Sequence, residues 1–158
     1  MRFKQNPFFW IAAIIGLVID HITKFWVAST FELTHPPDTW PLWPGVFHIT
    51  YVTNTGAAFS LFSNGGIYWL RWLSLLVSLG LMYWAWFARF NRWEQVGYGC
   101  ILAGALGNGI DRFLFGYVVD FLDFRLIRFP IFNLADVCIN VGIVCILITT
   151  FQVGSRQN

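Results

Sequence analysis

Residues 8–28, FFWIAAIIGLVIDHITKFWVA, form an almost unbroken apolar run that decides the class of fold. A run of this length suits a helix that crosses a hydrocarbon core of about 30 Å. We do not expect a cleaved signal peptide, because the run is too long for one and no small-residue cleavage site follows it. The segment therefore predicts a permanent transmembrane helix.

The composition of the chain indicates the same class. Of its 158 residues, 57% are hydrophobic and only 11% are charged, whereas a soluble domain carries about 25% charged residues. The nine Trp and five Tyr residues suit the aromatic belts of membrane proteins. The net charge of +2 and the scattered basic residues argue against a nucleic-acid partner. We predict a single polytopic membrane domain over residues 1–158.

Three further apolar runs follow the first one. We predict spans at about residues 8–28, 67–87, 96–115 and 132–151, with a long outer loop at 29–66. With the N-terminus inside, the inner segments hold five Lys or Arg residues and the outer connections hold two. This bias places both termini in the cytoplasm. The sequence thus predicts an all-α membrane fold of four transmembrane helices.

The outer connections also contain strand signals. Residues 46–52, VFHITYV, are rich in β-branched and aromatic side chains, which favour a strand. Residues 53–56, TNTG, are typical of a turn, and apolar character returns at 57–59. Residues 118–126 alternate between apolar and polar positions. We predict a small extracytoplasmic β platform on the membrane surface.

Polar side chains inside the spans are the candidates for chemistry, because an ionisable residue in lipid is costly. Asp20 and Lys24 share one helical face, and for them a structural ion pair and a catalytic support role both stay open. The predicted topology places these two, and the polar residues of the third and fourth spans, in the outer half of the bilayer. Those further residues are Asn108, Asp111, Arg112, Asn133, Asp136 and Asn140.

Gly99, Ala103 and Gly107 recur at four-residue spacing in the third span. Small residues at this interval let helices approach closely. We expect the stripe either to bring the third and fourth spans together, and so Asp120 towards Asp136, or to serve packing alone.

Other reactive residue types do not form a recognisable site. His35 and His48 lie in the outer loop without ligand partners nearby in the sequence, so we predict no metal site. Cys100, Cys138 and Cys145 lie in apolar stretches, where we expect them to act as small hydrophobic residues.

Five short segments occur in a fixed order along the chain. They are DHITK at 20–24, NTGAAF at 54–59, GNGIDR at 107–112, VVDF at 118–121 and FNLAD at 132–136. Together they resemble the prolipoprotein signal peptidases (signal peptidase II) of bacteria, and the resemblance covers essentially the whole chain.

This resemblance implies an aspartyl endopeptidase of the bacterial cytoplasmic (inner) membrane, with its active site towards the extracytoplasmic face. The implied substrate is a prolipoprotein whose Cys already carries a diacylglyceryl group, cut N-terminal to that Cys. Asp120 and Asp136 match the catalytic pair, whereas Asp111 has no such role in the matched pattern. Positions matched to support or substrate contact are Asp20, Lys24, Asn54, Gly56, Asn108, Arg112, Asn133 and Ala135.

Two neighbouring carboxylates share one proton and titrate as a unit. One can act as general base on a water while the other polarises the scissile carbonyl, so no metal or cofactor is needed. The expected partners are the lipid-modified precursor and membrane lipid, with the chain acting as a monomer.

Two other classes stay open. Intramembrane Asp and Lys residues also mark the ion pathways of carriers, although a carrier often has an inverted repeat with acidic groups near the midplane. The polar residues here cluster towards one side, and no repeat is visible. A structural subunit would leave Asp120 and Asp136 without a role.

Overall fold

A computed structural model of the chain describes residues 6–56, 66–127 and 129–154. This part of the chain forms four long helices and one three-stranded antiparallel sheet. In chain order the elements are α1 (Pro7–Thr30), β1 (Thr39–Trp43), β2 (Phe47–Asn54), α2 (Gly66–Phe87), α3 (Arg92–Leu114), β3 (Val118–Phe124) and α4 (Leu134–Gly154). The apolar return predicted at 57–59 lies outside the described residues.

Three helices in the described chain are long and apolar enough to cross a membrane, namely Pro7–Thr30, Tyr68–Phe87 and Leu134–Phe151. Large apolar side chains such as Ile14 and Leu76 are exposed on them, as expected where lipid replaces water. α3 has a similar length, 23 residues, but it is more polar and packs against all three other helices. The molecule is a mostly helical membrane protein built around a polar central helix.

The small-residue stripe of α3 mainly faces α1. An added Cβ at Gly99 would lie 2.9 Å from the Ala12 Cβ, and a Cβ at Gly16 would lie 2.7 Å from the Ala103 Cβ. The expectation that this stripe joins the third and fourth spans is therefore largely wrong, since only Gly107 also approaches α4. The four-residue spacing identifies a packing face but cannot say which helix occupies it.

α3 meets α4 through a second glycine face. A Cβ at Gly104 would overlap the carbonyl oxygen of Ala135, and a Cβ at Gly97 would lie 3.0 Å from the carbonyl oxygen of Gly142. Backbone thus packs directly on backbone along this contact. The approach at Gly104 brings α3 against the first turn of α4, which carries Asp136.

The small β-sheet predicted in the outer connections is present. The strand expected at 46–52 is β2, and the alternation at 118–126 is β3, which pairs antiparallel with β2. The turn predicted at 53–56 is partly wrong, because Asn54 still pairs with Val118 and the chain leaves the strand only after it.

β1 is not among the strands predicted from the sequence. Pro41 interrupts it, and proline lacks the N–H that a central strand requires. The strand tolerates Pro41 because β1 lies at the edge of the sheet, which has the order β1-β2-β3. All five of its residues are exposed, including Trp40 and Trp43.

One face of the sheet packs against the end of α1. Val27 and Phe31 form a buried cluster there with Ile49 and Tyr51 of β2 and with Phe121 of β3. Burying such side chains stabilises the contact by roughly 1.5–3 kcal/mol each. This cluster holds β3, and therefore Asp120, over the end of the helix bundle.

Gly104→Ala should lower the melting temperature of the protein in detergent, because the new methyl group has no room beside Ala135 and overpacking costs about 1–3 kcal/mol. Gly80→Ala is the matched control, since nothing lies within 4 Å of a Cβ at Gly80. Circular dichroism melts should show the control equal to or above the parent. Equal melting temperatures for the two variants would contradict the close approach of α3 and α4.

Candidate active site

Asp120 and Asp136 come from different elements but face one cavity. Asp120 lies in the middle of β3, and Asp136 lies in the first turn of α4. The chain that joins these two elements is short. Phe132 pairs with Leu122 of β3 through backbone hydrogen bonds, and α4 begins two residues after Phe132. The cavity has a volume of about 540 Å³ and is lined by both carboxylates.

Asn133 joins the two carboxylates and caps α4 as well. Its side-chain Nδ2 donates to Asp120 Oδ1 (2.6 Å), and its Oδ1 accepts from the Asp136 N–H (3.0 Å). In return, Asp136 Oδ2 accepts from the Asn133 N–H (3.3 Å). This reciprocal pair is a capping box with Asn and Asp in place of its usual residues. One fully buried side chain therefore starts the helix and bridges the pair.

Asn108 supports Asp136 from α3. Its Nδ2 donates to Asp136 Oδ1 (2.8 Å). Its Oδ1 accepts from Lys24 Nζ (3.0 Å) and from Asn133 Nδ2 (3.0 Å). Asn108 thus connects the carboxylate pair to a charged cluster deeper between the helices.

That cluster is centred on Lys24, whose side chain is buried. Its Nζ lies 2.8 Å from Asp20 Oδ2 and 2.8 Å from Asp111 Oδ2. Asp20 Oδ1 also accepts from the Ala135 N–H (2.9 Å), one of the free amides at the start of α4. Lys24 therefore ties α1 to α3, and Asp20 ties α1 to α4.

Asp111 is a buried member of this cluster that the resemblance leaves without a role. A sequence signal for it exists, because Asp111 is ionisable, lies inside a long helix and follows Gly107 by four residues on the face turned towards α1. Only the packing of α1 on α3 reveals Lys24 as its partner.

The end of β2 closes over Asp120. Asn54 Nδ2 donates to Asp120 Oδ2 (2.9 Å), and Asn54 Oδ1 accepts from the Gly56 N–H (2.9 Å). Arg112 Nη2 donates to the Gly56 carbonyl (3.2 Å), while its Nη1 donates to the Asn108 carbonyl (3.2 Å). Arg112 therefore ties the end of the strand to α3.

All ten site residues predicted from the sequence thus belong to one connected network. Ala135 contributes its backbone N–H and a fully buried methyl group rather than a functional side chain. Asn140, predicted as part of the polar stripe of the fourth span, lines the cavity but donates to the backbone oxygen of Asp136 (2.9 Å). The other cavity walls are largely apolar and include Phe129, Ile131 and Val141.

Burial raises the pKa of Asp120 to about 6. The hydrogen bonds from Asn54 and Asn133 lower this pKa, and the neighbouring charge of Asp136 raises it. A buried carboxyl group beside a second carboxylate is the arrangement in which a pair shares one proton. The geometry can therefore supply an acid and a base to the same cavity.

Metal-ligating residues do not gather elsewhere in the described residues. No group of three or more His, Cys, Asp or Glu is placed there to hold a metal ion. The three cysteines Cys100, Cys138 and Cys145 are free thiols. His48 lies in the sheet, where its Nδ1 is 3.3 Å from Thr39 Oγ1.

The chain and its fold match known proteins over almost their full lengths. The lipoprotein signal peptidase of Cyanothece sp. is 68% identical over 152 residues, which are 96% of this chain and 87% of that protein. The lipoprotein signal peptidase of Microcystis aeruginosa is 66% identical over 155 residues, 98% of each chain. A solved bacterial membrane enzyme has a TM-score of 0.84 at 32% identity, covering 94% of this chain and 90% of that one.

The model of one family, described as signal peptidase (SPase) II, matches residues 12–152. That match contains α1 from its second turn, the whole sheet and every residue of the carboxylate network. This chain therefore belongs to the signal peptidase II family, whose members are aspartic-type peptidases.

Proposed function

We propose that this protein is a membrane endopeptidase that removes the signal peptide from diacylglyceryl-modified prolipoproteins, cutting N-terminal to the lipidated Cys. Family membership supports the reaction class, and the name shared by its relatives supports the substrate. The observation that carries the proposal is the cavity in which Asn133 bridges the carboxylates of Asp120 and Asp136.

The proposed reaction needs only the two carboxyl groups and a water. The ionised member of the pair removes a proton from the water, which attacks the scissile carbonyl carbon. The protonated member donates its proton to the carbonyl oxygen, so that a neutral tetrahedral intermediate forms. The intermediate collapses when the leaving nitrogen receives the proton taken from the water and the C–N bond breaks. One hydroxyl proton returns to the acid, and the pair regains its starting state.

The remaining polar groups would position the substrate and the pair. Asn54 and Arg112 line the cavity beside Asp120, where a bound substrate would meet them. The apolar wall at Phe129, Ile131 and Val141 suits the hydrophobic residues of a signal peptide or the acyl chains on the Cys.

We propose that α3 also crosses the membrane, which makes four spans with both termini in the cytoplasm. A helix of 23 residues is about 34 Å long at 1.5 Å per residue, enough to span the hydrocarbon core. Its lower hydropathy is acceptable because α1, α2 and α4 shield it from lipid. The sheet and both carboxylates then lie towards the extracytoplasmic face of the inner membrane, at the depth where a lipidated Cys would arrive.

The exposed edge strand β1 is proposed to rest on that outer surface. Trp40 and Trp43 are exposed, and Trp side chains favour the headgroup region. With β1 on the membrane, the sheet would stay at a constant height above the bilayer and would help grip the substrate. The enzyme is proposed to act as a monomer.

Asp120→Asn and Asp136→Asn should each abolish cleavage of a diacylglyceryl-modified precursor by purified protein in nanodiscs, because each removes half of the acid–base pair. Asp38→Asn is the matched control, since its carboxylate accepts a hydrogen bond from the Glu32 N–H in the outer loop and lies outside the cavity. Turnover near the parent level in either active-site variant would refute the assignment. An unmodified precursor should remain uncut by the parent protein.

The double variant Trp40→Ser/Trp43→Ser should raise the KM for a lipidated precursor in nanodiscs by several-fold with little change in kcat. Both side chains are exposed and touch neither carboxylate, so their loss affects docking on the membrane rather than chemistry. An unchanged KM would contradict a membrane-resting platform.

Asp120→Asn should also stabilise the protein at alkaline pH. Asp120 has its pKa raised from 3.8 to about 6, so the folded state binds its proton more tightly than the unfolded state does. The stability from this group is complete below pH ~4 and is lost as the pH rises through ~6, by about 3 kcal/mol in all. In thermal melts, the melting temperature of the variant relative to that of the parent should be higher at pH 8 than at pH 4. A parallel pH dependence of the two proteins would contradict the raised pKa.

A further inference from the structure

The two carboxylates of the pair have different surroundings, and the difference starts at Lys24. We infer that Asp136 carries the negative charge of the pair and Asp120 the shared proton, and that Lys24 is the positioning residue that sets this asymmetry through Asn108. The inference rests on the proposed function and assigns the acid and the base within it.

The orientation of the Asn108 amide follows from Lys24. An ammonium group has three donors and no acceptor, so the atom of Asn108 that lies 3.0 Å from Lys24 Nζ must be the oxygen. The same oxygen accepts from Asn133 Nδ2. The amide nitrogen of Asn108 therefore points at Asp136 Oδ1, and a flip of the amide would place donor against donor.

Asp136 consequently meets donors at both carboxylate oxygens. Oδ1 accepts from Asn108 Nδ2 (2.8 Å), and Oδ2 accepts from the Asn133 N–H (3.3 Å). Asp136 also lies in the first turn of α4, where the helix dipole favours negative charge. It is less buried than Asp120, so its ionised form keeps more solvation.

Asp120 lies in a strand, without a helix terminus beside it, and is only 3% exposed. Its two donors, Asn54 Nδ2 and Asn133 Nδ2, are neutral amides, as are the donors to Asp136, so the two carboxyl groups differ in burial, in the helix terminus and in the link of Asn108 to Lys24 rather than in donor charge. When Asp136 is ionised, the proton of the pair goes to the carboxyl group with the least solvation, which is Asp120. Its raised pKa of about 6 agrees with this placement.

Lys24 acts on Asp136 mainly through orientation, although its charge also lowers the pKa of Asp120. Asp20 and Asp111, each 2.8 Å away, more than balance its charge. The charged groups around the pair are Arg112 from α3, which lines the same cavity, and this Lys24 cluster from α1 and α3. Lys24 therefore reaches Asp136 through the Asn108 amide that it holds in place.

In the reaction, Asp136 is then the base that takes a proton from the water, and Asp120 donates its proton to the carbonyl oxygen. On collapse, the proton held by Asp136 passes to the leaving nitrogen. A hydroxyl proton of the intermediate returns to Asp120. Both residues end in the protonation states in which they began.

Infrared spectra can locate the proton without any turnover. In nanodiscs at pH 5, Asp120→Asn should lose a protonated-carboxyl band of the parent, and Asp136→Asn should keep it. The opposite pattern would assign the proton to Asp136 and overturn the inference. Loss of the band in both variants would mean equal sharing and would overturn it as well.

A pH profile of kcat/KM tests the role of Lys24. The double variant Lys24→Met/Asp111→Asn removes one positive and one negative charge, so the net charge of the cluster and the Asp20 bond to Ala135 are kept. Without the ammonium, the Asn108 oxygen keeps only the bond from Asn133 Nδ2, so the amide turns away from Asp136 more easily, and the acidic limb should move up by about one pH unit. The single variant Asp111→Asn keeps the Lys24 ammonium bonded to Asn108, so the acidic limb of its pH profile should not move.

Lower activity of the double variant with an unmoved acidic limb would show a structural role only and would overturn the positioning role. If the double variant does not fold, the infrared comparison still decides where the proton lies. The two proposals fail separately. Absence of cleavage by the parent protein contradicts the proposed function, whereas cleavage with the opposite infrared pattern contradicts this inference alone.

Discussion

The start of α4 imposes the constraint on which the site depends. The first amides of a helix have no partners within that helix, and where water is excluded each one must find another acceptor. Asp20 accepts from the Ala135 N–H, and the Asn133 side chain accepts from the Asp136 N–H. The charge on Asp20 is in turn balanced by Lys24. Asp20 therefore links the buried start of α4 to the ion pair of α1.

The residues that stabilise the fold also build the candidate site. Asn133 caps α4 and bridges the carboxylates, while Asn108 joins the charged cluster to Asp136. The buried pair lowers the stability of the fold at neutral pH, because a desolvated carboxylate is costly. Tight backbone contacts at Gly104 and the apolar cluster around Val27 offset that cost and hold β3 and α4 in register. A rigid frame of this kind keeps the two carboxyl groups in position.

Several features could be predicted from residues alone because they depend on local pattern or composition. The β-branched and aromatic residues of 46–52 and the alternation of 118–126 indicated two strands, and the motif around Asn133 indicated the site. β1 was not predicted, because Pro41 argues against a strand unless that strand lies at the edge of a sheet. Lys24 was not predicted as the partner of Asp111, because an ion pair between two helices depends on which faces meet. A four-residue spacing describes only one of those faces.

The sequence by itself determined that this is a membrane protein of the signal peptidase II family and that its polar residues gather towards one end of the helices. It did so because lipid tolerates few charges and because five motifs in order are specific. The tertiary structure alone decided how those residues connect. The direction of the Asn108 amide, the bridge at Asn133 and the pairing of Lys24 with Asp111 all depend on distances between elements far apart in the chain. Hydrogen bonds act over about 3 Å, so only the packed fold could settle them.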